Sequence, residues 1–185
     1  MHITVDTLKE LDACEDQVQL FESTFPDGTD ITAESLALAR DVGLDIGWLI
    51  GKAPSLFEKC SDMFLQSPEW AYYYALHVDK QPHDDTRAAA CRDTEWAYYY
   101  ALRVDKQPHD DTRAACRDTE WAYYYALRVD KQPHDDTRAA ACRDPMRAYH
   151  YAAYVDKQTR DDTRAAACRD PEWARYYDGY MNNKD

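Results

Sequence analysis

Apolar and polar positions recur along this chain with a period of about 26 residues. The segment Glu69–Leu76, which reads EWAYYYAL, returns at Glu95–Leu102 and Glu120–Leu127, and in altered form at Met146–Ala153. A truncated copy begins at Glu172, and the successive spacings are 26, 25, 26 and 26 residues. A repeat of this length is one supersecondary unit that buries its apolar face only against its neighbours.

Each copy is predicted to form two helices. The first, helix A, opens with a small polar cap, then Pro or Thr and usually Glu, which is a strong helix-start pattern. These caps are Ser67, Asp93, Asp118, Asp144 and Asp170. Helix A is predicted to run to about Lys80 and its equivalents. Pro82, Pro108 and Pro133 are predicted to end helix A and to open helix B, which reads HDDTRAAAC.

The apolar periodicity divides helix A into faces. Ala71, Tyr74, Ala75 and Val78 follow the i, i+3, i+4, i+7 pattern and are predicted to face helix B. One flank of the first copy holds Trp70, Tyr73 and His77. The fourth copy replaces them with Arg147, His150 and Tyr154 but keeps the inward face, which favours an exposed flank beside a fixed core.

One copy is shorter than the others in helix B. The second copy reads Ala114-Ala115-Cys116, where the first reads Ala88-Ala89-Ala90-Cys91. Because one deletion in a helix rotates all that follows by about 100°, we expect the change to be absorbed at the end of the helix. A local irregularity is therefore predicted between the second and third copies.

The segment before the array does not show the repeat clearly. Thr7-Leu8-Lys9-Glu10 resembles a capping box that opens a helix, and Thr32 is predicted to start a second helix that stops at Gly43. A short helix is predicted from Asp45 to Ile50. Ser55–Leu65 is interpreted as a degenerate helix B, within a capping repeat that spans residues 41–67. The short strand pattern at residues 3–5 is given little weight.

These patterns together predict an all-α chain. The fold expected is a short right-handed α-solenoid of helix-turn-helix repeats with an N-terminal helical capping domain. The predicted division is an acidic helical domain at residues 1–67 and, at 68–185, an array of four αα repeats with a truncated C-terminal cap.

The net charge of −13 is unevenly distributed. Residues 1–68 carry 13 acids and 4 bases, and residues 69–185 carry 22 acids and 18 bases. This balance argues against direct binding of nucleic acid, which needs clustered Lys and Arg. It fits a protein that binds proteins, or one that imitates the charge of nucleic acid. No apolar run reaches the length of a membrane span and no secretory signal is seen, which predicts a cytoplasmic protein.

Candidate metal and redox groups have plainer explanations. Three His-Asp-Asp motifs begin at His83, His109 and His134, but the fourth copy has Arg160 there, which a metal ladder would not tolerate. The motif is interpreted as an acidic first helical turn. Six cysteines without a CxxC pair are interpreted as reduced, mostly buried thiols. No metal and no cofactor are predicted, and the sequence lacks a phosphate loop, a nucleophile elbow and an HExxH motif.

Two stretches resemble known proteins. The pattern from Asp170-Pro171-Glu172-Trp173-Ala174, with YYYA, Val and Lys in the fuller copies, resembles short αα repeats in uncharacterised phage and bacterial proteins. Its layout is similar to leucine-rich-variant and HEAT-type repeats. The segment Leu11–Phe21 with Phe25–Gly28 resembles the opening domain of other phage or prophage proteins. The resemblance implies a phage protein, without a chemistry that transfers to single residues.

The candidate binding surface is the aromatic and arginine flank of helix A. Trp, Tyr and Arg dominate the hot spots of protein interfaces. The predicted stripe consists of Trp70, Tyr73, Trp96, Tyr99, Arg103, Trp121, Tyr124 and Arg128. The alternative is that each Trp staples adjacent copies and that Arg stacks on it.

The function expected is macromolecular binding without catalysis, since an array offers one surface several times whereas an active site is unique. The phage resemblance implies an inhibitor of a host antiviral-defence protein, in which residues 1–68 block a nucleic-acid-binding surface. The alternatives are a virion assembly protein and a nucleotide-sequestering protein. The identity of the partner and the oligomeric state stay open.

Overall fold

The computed structural model describes residues 2–181, and this part of the chain is all-α apart from one two-stranded ladder. The prediction of an all-α protein is confirmed. The chain divides into two compact units, Met1–Ala89 and Ala90–Asp185, which are described separately. Among the described residues, no helix combines the length and the apolar character needed to cross a bilayer.

The first unit opens with a short antiparallel ladder and four helices. Strand β1 pairs with β2 through His2 opposite Asp30 and Ile3 opposite Thr29. The elements are β1 (His2–Ile3), α1 (Val5–Glu10), α2 (Glu15–Thr24), β2 (Thr29–Asp30), α3 (Ala33–Val42) and α4 (Ile46–Lys52). Of residues 3–5, where the sequence showed a weak strand pattern, Ile3 therefore lies in a strand.

Side-chain caps fix where these helices begin. Thr32 and Ser35 form a reciprocal capping box at α3, and Gly43 ends the helix with φ of 91°, so both predicted limits of this helix are confirmed. The predicted start of α1 is wrong. Thr4, not Thr7, is the cap, and the Thr7 hydroxyl serves as the return half of the box with the Thr4 backbone N–H.

The segment predicted as a degenerate helix B, Ser55–Leu65, is not one helix. A 3-10 turn covers Pro54–Leu56, and helix α5 covers only Ser61–Phe64. The break places Phe57 and Phe64 in the same core, where both are fully buried with ring centroids 5.4 Å apart. The gain from burying two aromatic rings explains why the helix is interrupted.

The first copy of helix A packs into the core of this unit. Helix α6 (Pro68–Tyr74) brings Trp70 to 6.1 Å from Phe64 and Tyr74 to 5.3 Å from Phe64, between ring centroids. The Arg40 guanidinium lies 5.8 Å from the Trp70 ring. Trp70 is only 5% exposed, so its predicted place on an exposed flank is wrong. Its neighbours come from helices of the N-terminal segment, which the repeat pattern could not reveal.

Helix A of each full copy ends in a turn of π-helix. The α-helical parts are α6, α8 (Thr94–Tyr100), α10 (Thr119–Tyr125) and α12 (Pro145–His150). The π turns that follow are Ala75–Asp79, Ala101–Asp105, Ala126–Asp130 and Tyr151–Asp156. The predicted end near Lys80 and its equivalents is confirmed, whereas the π turn was not predicted. The final helix, α14 (Pro171–Met181), is assigned α throughout.

Helix B begins later than predicted. Its copies are α7 (Asp84–Ala90), α9 (Asp110–Ala115), α11 (Asp135–Ala141) and α13 (Asp161–Ala167). Pro108 and Pro133 therefore precede the helix instead of opening it. His109 and His134 are the caps, and their Nδ1 atoms accept from the backbone N–H groups of Asp111 and Asp136. A ring nitrogen thus performs the role that Ser or Asp performs at helix A.

The predicted irregularity of the second copy is confirmed. Helix α9 is one residue shorter than α11 and α13, and the change falls at its C-terminal end. Cys116 there has ψ of 65°, whereas Cys142 and Cys168 both have ψ of −3°. The turn carries Cys116 to 2% exposure with its Sγ 3.6 Å from the Thr94 carbonyl oxygen.

The lysine after each π turn lies in the left-handed region, with φ between 55° and 58°. A side chain in this region costs roughly 1–2 kcal/mol. Glycine avoids that cost, but part of the gain is lost because glycine makes the unfolded chain more flexible. We therefore expect Lys157→Gly to raise the free energy of unfolding by about 0.5–1 kcal/mol in urea titrations. Lys157→Ala keeps the strain and should change little. A stabilisation by alanine equal to that by glycine would contradict the explanation.

Candidate binding surface

Within the second unit, a buried tyrosine joins each of helices α10, α12 with its π turn, and α14 to the helix B before it. The Tyr125 hydroxyl lies 2.8 Å from the Thr112 hydroxyl, donates to the His109 carbonyl and accepts from the His109 backbone N–H. The same bonds recur around Tyr151 and around Tyr177. These tyrosines are at most 1% exposed, so the prediction that this position faces inward is confirmed. The helix B to which the hydroxyl bonds is that of the preceding copy.

A buried ion pair lies beside each of the first two of these tyrosines. Arg138 donates from Nε and Nη2 to both carboxylate oxygens of Asp156, at 2.8 to 3.1 Å, and from Nη1 to Asp135 at 2.6 Å. Its guanidinium carbon lies 5.6 Å from the Tyr151 ring. Arg113 makes the same set of contacts with Asp130, Asp110 and Tyr125.

Burial and pairing change the titration of these groups. Hydrogen bonding by Asp156 raises the pKa of Arg138, and Asp130 does the same for Arg113. Burial raises the pKa of Tyr125 to about 12. The sequence pattern did not predict this network. The sequence did contain a signal for the network, because the fourth copy differs from the others on the flank of helix A but keeps Tyr151 and Asp156.

Trp121 and Trp173 of the second unit pack between adjacent copies. The Trp121 ring lies 5.3 Å from Tyr98 and 5.8 Å from Tyr99 of the copy before it. The Trp173 ring lies 5.8 Å from Tyr149 and 5.7 Å from His150. These contacts correspond to the stapling alternative, in which the indole rings pack between copies.

The change from Trp to Arg in the fourth copy does not occur at an exposed position. Arg147 stands where other copies have Trp, and its side chain is only 14% exposed. Its guanidinium lies 5.7 Å from the Tyr123 ring and 5.5 Å from the Tyr124 ring, and it pairs with Glu120 at 2.6 Å. The prediction of an exposed flank at this position is wrong, because a planar guanidinium can stack where an indole did.

The structure separates the eight residues of the predicted stripe. Trp70 and Tyr73 belong to the first unit, where Tyr73 is half-buried and 6.1 Å from the His77 ring. The other six belong to the second unit. Half-buried there are Trp96, Tyr99, Trp121 and Tyr124, and exposed are Arg103 and Arg128.

Ring contacts run without interruption along the second unit, with centroids 5.2 to 6.3 Å apart. We call this surface the aromatic ribbon. Its members are Trp96, Tyr98, Tyr99, Trp121, Tyr123, Tyr124, Tyr149, His150, Tyr154, Trp173, Tyr176 and Tyr180. The ribbon lowers the pKa of His150, through burial first and then through the charge of Arg147.

An open groove crosses the ribbon between the second and third copies. It is lined by Tyr98, Leu102, Tyr124, Leu127, Arg128 and Lys131. The two leucines and two phenol rings make its apolar part, and the two cations are exposed. Only Tyr124 and Arg128 of the predicted site residues take part in it.

The cysteines differ from the prediction of mostly buried thiols. Cys116 is buried, whereas Cys14 and Cys168 are exposed and the remaining three are half-buried. Burial raises the pKa of the Cys142 thiol to about 11. Among residues 2–181, no three His, Cys, Asp or Glu side chains are grouped as a metal site would require.

No protein-family model, curated protein or solved structure matches this chain. The ribbon offers stacked rings, phenol hydroxyls and flanking guanidinium groups. These groups bind by stacking, hydrogen bonding and charge.

Proposed function

We propose that this chain is a non-enzymatic α-solenoid that binds another macromolecule through its aromatic ribbon. Support for a solenoid comes from the bonds that link successive copies, such as Tyr151 to His134 and Arg143 to the Arg117 carbonyl. In such arrays each unit contacts its neighbours and the surface they form together serves for binding. The chain's binding surface is then a composite of several copies.

The main support for the proposal is that the exposed large apolar side chains of the second unit lie on the aromatic ribbon. Among the described residues after Ala89, the large apolar side chains that are exposed are Tyr154 at 46% and Tyr176 at 51%. Both belong to the aromatic ribbon. Aromatic side chains that are rigidly held by neighbours and still reach solvent are typical anchors of protein interfaces, because they bury a large area at low entropic cost.

For the partner we propose a host protein, in particular a nucleic-acid-binding component of antiviral defence. The support is the resemblance to phage proteins and the net charge of −9 carried by residues 1–68. An acidic surface attracts proteins whose own surfaces are shaped to bind phosphate groups. In this proposal the ribbon supplies affinity, and the acidic segment blocks the nucleic-acid site.

A capture experiment with matched variants tests the ribbon. Tagged wild-type protein, Tyr154→Ala/Tyr176→Ala and Leu38→Ala/Val42→Ala would each be incubated with bacterial lysate, and the bound proteins quantified by mass spectrometry. Leu38 and Val42 are exposed at 45% and 37%, so they control for the loss of apolar surface elsewhere. We expect the ribbon variant to retain less than about one tenth of the partner, as loss of hot-spot residues does, and the control to retain it.

Three results would oppose the proposal. Equal capture by the ribbon variant would remove the ribbon from binding. Recovery of virion proteins alone would favour an assembly protein. A thermal shift with nucleotides that the ribbon variant lacks would favour a nucleotide-sequestering protein.

A further inference from the structure

The groove between the second and third copies differs in charge from the rest of the chain. Its lining contains two cations, Arg128 and Lys131, and no carboxylate, although the protein carries a net charge of −13. The apolar part of the lining consists of Leu102, Leu127 and the faces of two tyrosines. The groove therefore presents an apolar floor beside a positive edge.

The two groove cations lack carboxylate partners within the described part of the chain. Arg113 and Arg138 on helix B each hold two carboxylates, whereas neither Arg128 nor Lys131 forms an ion pair among residues 2–181. An unpaired guanidinium and ammonium beside phenol hydroxyls form a set of donors suited to a carboxylate.

We infer that this groove binds an acidic segment of the partner protein, with an aliphatic or aromatic side chain between its carboxylates. This inference rests on the proposed function and extends it. The apolar side chain would lie on Leu102 and Leu127. The carboxylates would accept from Arg128, Lys131 and the tyrosine hydroxyls. Charge complementarity selects this occupant over a basic one, because a basic segment would face two cations without compensation.

The repeat does not produce a second groove of this kind in the next copy. There Tyr154 takes the position of Arg128, and Ala153 takes the position of Leu127. Of the two groove cations only the lysine is kept there, as Lys157, on the same backbone conformation as Lys131. The fourth copy therefore supplies a matched position that lacks the rest of the groove.

Fluorescence anisotropy with a short labelled peptide of alternating glutamate, leucine and phenylalanine tests the inference. We expect tighter binding at low salt, and loss of affinity by about tenfold in Lys131→Glu and in Arg128→Glu. Lys157→Glu makes the same charge change on the same backbone one copy away, and it should bind like the wild type. A peptide with glutamine in place of glutamate should bind at least tenfold more weakly.

Other outcomes would overturn the inference. Equal binding of the glutamine peptide would remove the charge requirement, and equal loss in Lys157→Glu would show attraction without a site. Self-association that Lys131→Glu abolishes would make a second copy the occupant. If Tyr154→Ala/Tyr176→Ala loses the captured partner while Lys131→Glu keeps it, the proposed function stands and the groove inference fails.

Discussion

Asp156→Ala is expected to lower the free energy of unfolding by about 3–5 kcal/mol, because it leaves a buried arginine without its counter-charge. The Asp156 side chain is fully buried, and that of Arg138 is 6% exposed. Two nitrogens of Arg138 reach its carboxylate, and the remaining partner, Asp135, is 93% exposed. Water can therefore solvate Asp135, but it cannot readily reach the Arg138 nitrogens that Asp156→Ala leaves without an acceptor.

The last copy supplies a matched control. Arg164 pairs with Asp178 at 3.2 Å, and both side chains are about half exposed. Asp178→Ala should therefore cost less than about 1 kcal/mol, as exposed pairs do. Urea titration followed by circular dichroism measures both variants. The account fails if the two substitutions cost the same, and it gains support if Arg138→Met/Asp156→Leu recovers most of the loss, since that pair removes both charges together.

The starts of helix A were predictable because their signals are local. Asp144 followed by Pro145 identifies a helix start without knowledge of anything distant, and the structure places the Asp144 side chain on the Arg147 backbone N–H. The π turn has no such signal. In an i→i+5 turn, residues five apart lie on one face, and this is what brings Asp130 to the side of Tyr125 that faces helix α9. Arg113, which donates to Asp130 at the end of this turn, belongs to another helix, and local propensity does not include it.

The candidate site was predictable in composition but not in geometry. Aromatic and arginine positions indicated where rings would collect, and Tyr124 and Arg128 do line a groove. Their burial could not be predicted, because Trp70 is covered by residues that are distant in sequence. The exchange of Trp for Arg147 was misinterpreted, since a change of residue type between copies was taken as evidence of exposure although both groups stack.

Raising the pH from 10 to about 12 is expected to remove roughly 2 kcal/mol of stability through Tyr125 alone, because a pKa difference of about two units is worth about 2.7 kcal/mol in all and is lost between about pH 9 and 13. Burial raises the pKa of Tyr125 from 10.0 to about 12 in the folded chain. A group whose pKa is raised by folding contributes stability that is complete below its unfolded pKa and lost as the pH rises through the folded pKa. The burial of the Tyr125 phenol thus favours the folded chain only while the phenol is neutral.

Tyr125→Phe separates this titration from other alkaline effects. At neutral pH the variant should be less stable by about 1–3 kcal/mol, because the His109 backbone N–H loses its acceptor. Between pH 10 and 12, however, its urea midpoint should fall less steeply than that of the wild type. Tyr176→Phe, at a position 51% exposed, should follow the wild-type slope. Equal slopes for all three proteins would mean that the Tyr125 phenol ionises as readily in the folded chain as in the unfolded one, contrary to its enclosed position between helices α9 and α10.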